Sequence, residues 1–235
     1  MKVAIMQPTY LPWAGYFRLI ARVDHFVYLD DAQYERGSWH LRNRVLVGGR
    51  AHWLTVPVRR QHLGENLDRV QVDDRRDWRR KHLALLEQSY ARHPYRRALL
   101  EAIAPIADRA LTTLADLNIA LIERCCLGLG IATPRSRASS LDVSGKRTAR
   151  VAALCERLGA TRYLSPPGAR DYLAADGFTE NTRVALEFAE FTPPPYPQPS
   201  TAEFISHLSI ADVLASLGWA GAVAHLASSA PESSP

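Results

Sequence analysis

The densest chemistry lies in LDDAQYERGSWHLRNRV, where Asp30, Asp31, Gln33, Arg36, Ser38, Trp39, His40, Arg42, Asn43 and Arg44 crowd together. Three arginines beside two carboxylates and an indole make a costly solvent loop and a good recognition surface. Guanidinium groups grip phosphate or carboxylate in bidentate fashion, which makes Arg42 and Arg44 candidates for a diphosphate or carboxylate. Trp39 offers a face to a base or sugar ring. His40 titrates near neutrality and is a candidate general base, although a histidine in an Arg-rich loop also reads as merely exposed.

A second concentration is MQPTYLPWAGYFRLI. Pro8 and Pro12 stiffen it by fixing φ. Gln7, Thr9 and Tyr10 supply hydrogen bonds for a sugar or nucleotide, and Gly15 leaves room for a ligand at a helix start, where free N–H groups favour an anion. The alternative is a packed strand-helix corner with two aromatic plugs. Further on, Trp78, Lys81 and His82 open a basic helix, with Trp78 and Lys81 on one face; it reads equally as an amphipathic surface helix. SSLDVSGKRT places Ser139, Ser140, Gly145, Lys146 and Thr148 before another helix, as ordinary caps or a phosphate hold; the spacing is not that of a Walker A loop. Near the C-terminus Tyr196 and Gln198 sit on a proline-stiffened loop. Ser209 reads as an N-cap with Asp212 at N3, a relative of the capping box. A triad of Ser209, His207 and Asp212 lacks a nucleophile elbow.

The elements that must position these groups follow from hydrophobic periodicity. Residues 2–6 read as a strand, 14–23 as a helix and 26–29 as a second strand, a β-turn-α-β unit of parallel-pair length. RVLVGGRAHWLTVPV is a hairpin turning at Gly48-Gly49. RVQVDD reads as a short strand. Helices are expected over 76–91, over 95–107 with an interruption at Pro105, over 111–127, and over 147–158 with Gly159 as terminator. RYLS at 162–165 and VALEFAEF at 184–191 are strands, TPPPYPQP is neither helix nor central strand, and SIADVLASLG is a short helix stopped by Gly218. This alternation predicts an α/β fold over 1–226, a Rossmann-like core sheet with helices and a helical insertion near 76–130. Residues 227–235 are expected to be a disordered tail.

The chain has 29 Lys and Arg against 24 Asp and Glu, and the excess is concentrated in 36–80. That field suits an anionic small molecule, a nucleotide sugar or acyl donor, or an acidic carrier protein; no motif for specific nucleic-acid binding accompanies it. Cys125, Cys126 and Cys155 have neither disulfide nor metal spacing and read as buried hydrophobes. No metal site is indicated, and the cofactor, ATP use included, is left open by the sequence. No signal peptide and no membrane span is expected, which points to the cytoplasm.

The successive segments MQPTYLPWAGYFRLI, DDAQYERGSWHLRNRV, WLTVPV, WRRKH, SSLDVSGKRT, YLSPPGARDYL, YPQ and LSIADVL resemble the motifs of WbqC-like proteins over 1 to about 218. The family is associated with bacterial O-antigen and other polysaccharide gene clusters, amino-sugar modification and secondary metabolism. The resemblance implies that Gln7, Pro8, Tyr10, Gly15, Gln33, Trp39, Arg42, Asn43, Lys81, His82, Ser140, Lys146, Ser165 and Gln198 matter, with Gly37 a departure from the family's basic or polar residue. The opening also resembles nucleotidyltransferases and pantothenate-synthetase-like ligases, but Trp13 and Tyr16 stand where their two phosphate-binding histidines would be. The nucleotidyltransferase-like fold survives that change better than ATP chemistry does.

These readings converge on a cytoplasmic transferase acting on an activated or amino sugar, forming an amide by acyl or aminoacyl transfer in polysaccharide or secondary metabolism. Gln7–Gly15 and Asp30–Arg44 would form the pocket, His40 or His82 would accept the amine proton, and Lys81 and Lys146 would neutralise developing charge. The alternatives are an accessory protein of a glycan assembly complex, docking through the basic helix with Arg79 and Arg80, and an ATP-dependent nucleotidyltransferase or ligase.

Overall fold

Alternation along the first strand sets up both faces of the molecule. The computed structural model describes residues 1–59, 64–199 and 201–228. In β1 (Lys2–Met6), Val3 and Ile5 face one way and Ala4 and Met6 the other, as the two-residue period of a strand requires. Ala4 and Met6 pack with α1 (Ala14–Ala21), α4 (Leu114–Gly128) and α8 (Ile210–Ala227). Val3 and Ile5 pack with α5 (Arg147–Arg157), α6 (Arg170–Ala175) and Phe178 of α7 (Phe178–Asn181).

β1 lies between β2 (His25–Tyr28) and β6 (Arg162–Ser165); β5 (Arg135–Arg137) and β7 (Ala185–Phe188) complete a five-stranded sheet in the order β5-β2-β1-β6-β7. Every pair in it is parallel. All five C-terminal ends therefore share one edge, and the strand order reverses beside β1. Open parallel sheets bind ligands at that kind of reversal.

β3 (Arg42–Val47) and β4 (Arg50–Thr55) form a separate antiparallel hairpin. Gly48 and Gly49 have φ of 55° and 79°, the two positive values that a two-residue type I′ turn needs. The hairpin packs with α2 (Trp78–Ser89), α3 (Arg96–Ile103) and α4 in a second apolar cluster. α3 passes into a 3-10 turn over Ala104–Ala107 at Pro105, which cannot donate an intrahelical bond.

Several expectations need correction. RVQVDD is no strand: only isolated bridges, Val58 to Val72 and Gln71 to Thr113, touch it. Val70 and Val72 are buried in the hairpin cluster without a strand alongside. β5 was not expected, because Arg-Ser-Arg at a half-buried sheet edge carries no apolar run. The short α6 and α7 were missed as well. Helical geometry breaks at Gly218 (φ 66°, ψ −176°) but resumes as far as Ala227. A Cβ at Gly218 would lie 2.7 Å from the Tyr95 ring, so glycine is needed there. α8 is long and apolar enough to cross a membrane by length and composition, yet 61% of that window is buried within the fold, as in a core helix. Of the expected tail, Ala227 closes α8 and Ser228 is its C-cap; 229–235 lie outside the described residues.

Candidate functional site

Just past the C-terminal end of β1, Gln7 meets the loop that follows β2. Gln7 Oε1 lies 2.6 Å from His40 Nε2, and Ser38 Oγ lies 2.8 Å from His40 Nδ1. An amide oxygen only accepts, so Nε2 carries the proton and donates to Gln7. Nδ1 is left with its lone pair toward the Ser38 hydroxyl. His40 is 3% exposed, and burial lowers its pKa to about 4, which keeps the ring neutral at pH 7. Ser38 is half-buried between exposed Gly37 and exposed Trp39.

Two buried asparagines hold this corner. Asn43 Nδ2 donates to the carbonyls of Tyr10 and Leu11, clamping a turn in which Leu11 has a strained φ of 44°. Asn118 of α4, fully buried, donates to the carbonyls of Pro8 and His40 and so ties the β1 exit to the histidine loop. The Tyr10 N–H donates to the Trp39 carbonyl.

Trp39, just before β3, and Trp53 of β4 are 50% and 40% exposed, with 5.3 Å between ring centroids. The Arg42 guanidinium stacks 4.3 Å from the centre of Trp53, with Arg44 at 6.0 Å. Among the described residues neither arginine pairs with a carboxylate; Arg44 reaches the His207 carbonyl at 3.5 Å. Arg42 also lies over the turn that carries Ser38, with Nη2 3.7 Å from where a Cβ at Gly37 would stand. Gly37 itself has φ 74°, a left-handed conformation that glycine adopts without strain.

Farther along the edge, fully buried Asp30 accepts from the Ser139 N–H (3.0 Å) and hydroxyl (2.7 Å), stitching the end of β2 to that of β5. Asp31 pairs with Arg150, and Arg137 with Asp116 at 2.7 Å. Exposed Ser140, an expected ligand, donates to the Arg137 carbonyl.

Several other expected residues are engaged within the fold. Tyr10 is fully buried and its hydroxyl meets His82 Nδ1 at 3.0 Å; burial also lowers the His82 pKa to about 4. Gly15 leaves no room for a ligand, because a Cβ there would fall 2.2 Å from the Trp13 indole, which fills the space. Gln198 spends its amide on Asp212 Oδ2 (2.9 Å) and on the Ile205 backbone, and Tyr196 also donates to Asp212 (2.7 Å). Asp212 therefore closes no capping box, although Ser209 does cap α8 through the Ala211 N–H. Ser165 is fully buried and donates to the Pro166 carbonyl. Thr9 is buried, and exposed Gln33 bridges to Asn66. Exposed Lys81 and Lys146 make no hydrogen bond or ion pair with the Gln7–His40 group; Lys146 is the N-cap of α5. Arg79, read as a docking charge, is 6% exposed, bound to Asp74 and to the carbonyls of Ile106, Asp108 and Leu111.

Two open concavities flank α5. One, about 540 Å³, is lined by Lys146, Arg147, Thr148 and Asp176; the other, about 660 Å³, by Glu156, Thr161, Glu180 and Arg183. Neither includes Gln7, His40 or the tryptophans. The three cysteines are buried, with the thiols of Cys126 and Cys155 pushed up to about 12.

Sequence reasoning missed Trp53 and Asn118. Trp53 had a signal: its neighbours Leu54 and Val56 alternate inward, which turns an indole outward. Asn118 interrupts the apolar stripe of α4, and a lone polar residue there asks for a buried partner.

The described residues form an α/β protein with a parallel sheet, in which Ser38 and His40 lie close to the end of β1 and Arg42 and Arg44 have no carboxylate partner among those residues. The chain belongs to the WbqC-like protein family, which matches residues 7–223. It is 37% identical over 180 residues to the uncharacterized protein Rv1507c of Mycobacterium tuberculosis (strain ATCC 25618 / H37Rv), covering 76% of this chain and 78% of that protein. No solved structure matches the chain.

Proposed function

We propose that this protein is a biosynthetic transferase that binds an anionic activated substrate, a nucleotide or amino sugar together with an acyl donor, beside the β1 exit. The strand order suits a doubly wound, Rossmann-like sheet, and a site beside the β1 exit would lie where such sheets take ligands. The observation that carries the reading is that Arg42 and Arg44, which have no carboxylate partner among the described residues, stack on Trp53 beside exposed Trp39, close in sequence to neutral His40. The guanidiniums hold phosphate or carboxylate oxygens and the indoles lie against a ring. A neutral imidazole takes up the proton that an amine loses on becoming an amide. The family's association with polysaccharide gene clusters agrees with such chemistry.

Thermal unfolding of the full chain with a panel of UDP- and GDP-sugars tests the reading. One or more sugar nucleotides should raise Tm, and Arg42→Ala should abolish the rise. No shift with any of them would overturn it.

A further inference from the structure

The hydrogen-bond chain from Ser38 through His40 to Gln7 has a direction. A hydroxyl faces the free lone pair of an imidazole whose other nitrogen donates to a fixed acceptor, the arrangement that activates a serine nucleophile. An amide oxygen orients a histidine as a carboxylate does, without adding charge. We propose that Ser38 is an acyl-accepting nucleophile and that the transfer proceeds through an acyl-serine. The proposal rests on the acyl-transfer reading above and adds to it the covalent residue.

Three further features of the turn agree with this role. Gly37 sits left-handed immediately before the serine, projecting Ser38 between two exposed residues. The Arg42 guanidinium overlies the same turn. The N–H groups of Trp39 and His40 have no protein acceptor among the described residues. The N–H following a nucleophile is a common donor to a developing oxyanion.

The step balances as follows. Ser38 Oγ attacks the carbonyl carbon of an activated acyl donor, a thioester or acyl phosphate, while its proton passes to His40 Nδ1. The tetrahedral adduct collapses, the bond from carbon to the leaving group breaks, and the thiolate or phosphate departs with the electron pair. If the leaving group is a thiolate it takes the proton from His40; if it is phosphate, His40 releases the proton to solvent. The acceptor amine then attacks the ester carbon and gives a proton to His40. The C–Oγ bond breaks, Oγ recovers that proton, and the amide leaves.

The full chain treated with p-nitrophenyl acetate or a fluorophosphonate probe, followed by intact-mass measurement and peptide mapping, tests the proposal. A single adduct on Ser38 is expected, absent in Ser38→Ala, kept in Ser38→Cys with p-nitrophenyl acetate, and formed at least about 100-fold more slowly in His40→Ala. Circular dichroism melts of each variant separate chemistry from misfolding. No adduct on the wild type, or one that persists in a folded Ser38→Ala protein, overturns the proposal. Because the sugar-nucleotide shift is read without any acyl donor, it survives if only the acyl-serine is wrong and vanishes if the transferase reading itself is wrong.

Discussion

Replacing Gln7 by Glu changes one atom type in the hydrogen-bond chain and nearly nothing in shape. In the wild type an amide oxygen lies 2.6 Å from His40 Nε2 and gives the imidazolium no countercharge, while burial holds the pKa at about 4. A carboxylate at the same place puts opposite charges about 4 Å apart between their centres. At an effective dielectric of about 20 that is worth about 4 kcal/mol, or a rise of about 3 in pKa. Gln7 is half-buried, so desolvation of the new carboxylate removes part of the gain. The expected His40 midpoint in Gln7→Glu is at or above about pH 6. The assay is a pH titration of the His40 ring resonances by NMR in both proteins. A wild-type midpoint near 6.5, or a midpoint unmoved by the substitution, would refute the reasoning, because either result means that the ring is not buried against residue 7.

Acidification should also destabilise the fold. His40 and His82 both have folded pKa values lowered from 6.5 to about 4 by burial, so the unfolded chain binds more protons in that window. Their stabilisation is fully present above pH 6.5, falls as pH drops through the window, and is lost below about 4; each contributes on the order of 3 kcal/mol. Urea melts at pH 7.5 and 4.5 should show it, and equal stabilities would contradict it. Asn118→Ala removes the donor shared by the Pro8 and His40 carbonyls and should cost about 2–3 kcal/mol in urea unfolding, with His40 displaced. Gly15→Ala drives a methyl to within 2.2 Å of the Trp13 indole and should cost about 1–3 kcal/mol, with a change in tryptophan emission; an unchanged melt would mean that the indole does not fill that space.

What could be read from the sequence follows from which physics is local. β1, α1 and β2 announced themselves by period, and the hairpin by the Gly48-Gly49 pair. β5 announced nothing, because its place is set by pairing with β2 across more than a hundred residues. Within the site, residue type revealed chemistry but not direction. Gln7 bonds His40, the Tyr10 N–H bonds the Trp39 carbonyl, and Arg42 stacks on Trp53. Tyr10, Asn43 and Gln198 carry the same polar groups but turn them inward, to His82, to the Tyr10–Leu11 turn and to Asp212. A chain that bends sharply at a strand end must satisfy its own carbonyls first. The link from Gln7 to His40 joins positions 33 apart, and no spacing rule reports it.

A crystal structure of the protein with a bound sugar nucleotide tests the central claim most directly. Phosphate oxygens should lie within hydrogen-bond distance of Arg42 or Arg44, with a ring against Trp39 or Trp53. A ligand seated instead in the concavity beside Lys146 and Arg147, with the hairpin arginines untouched, would contradict it.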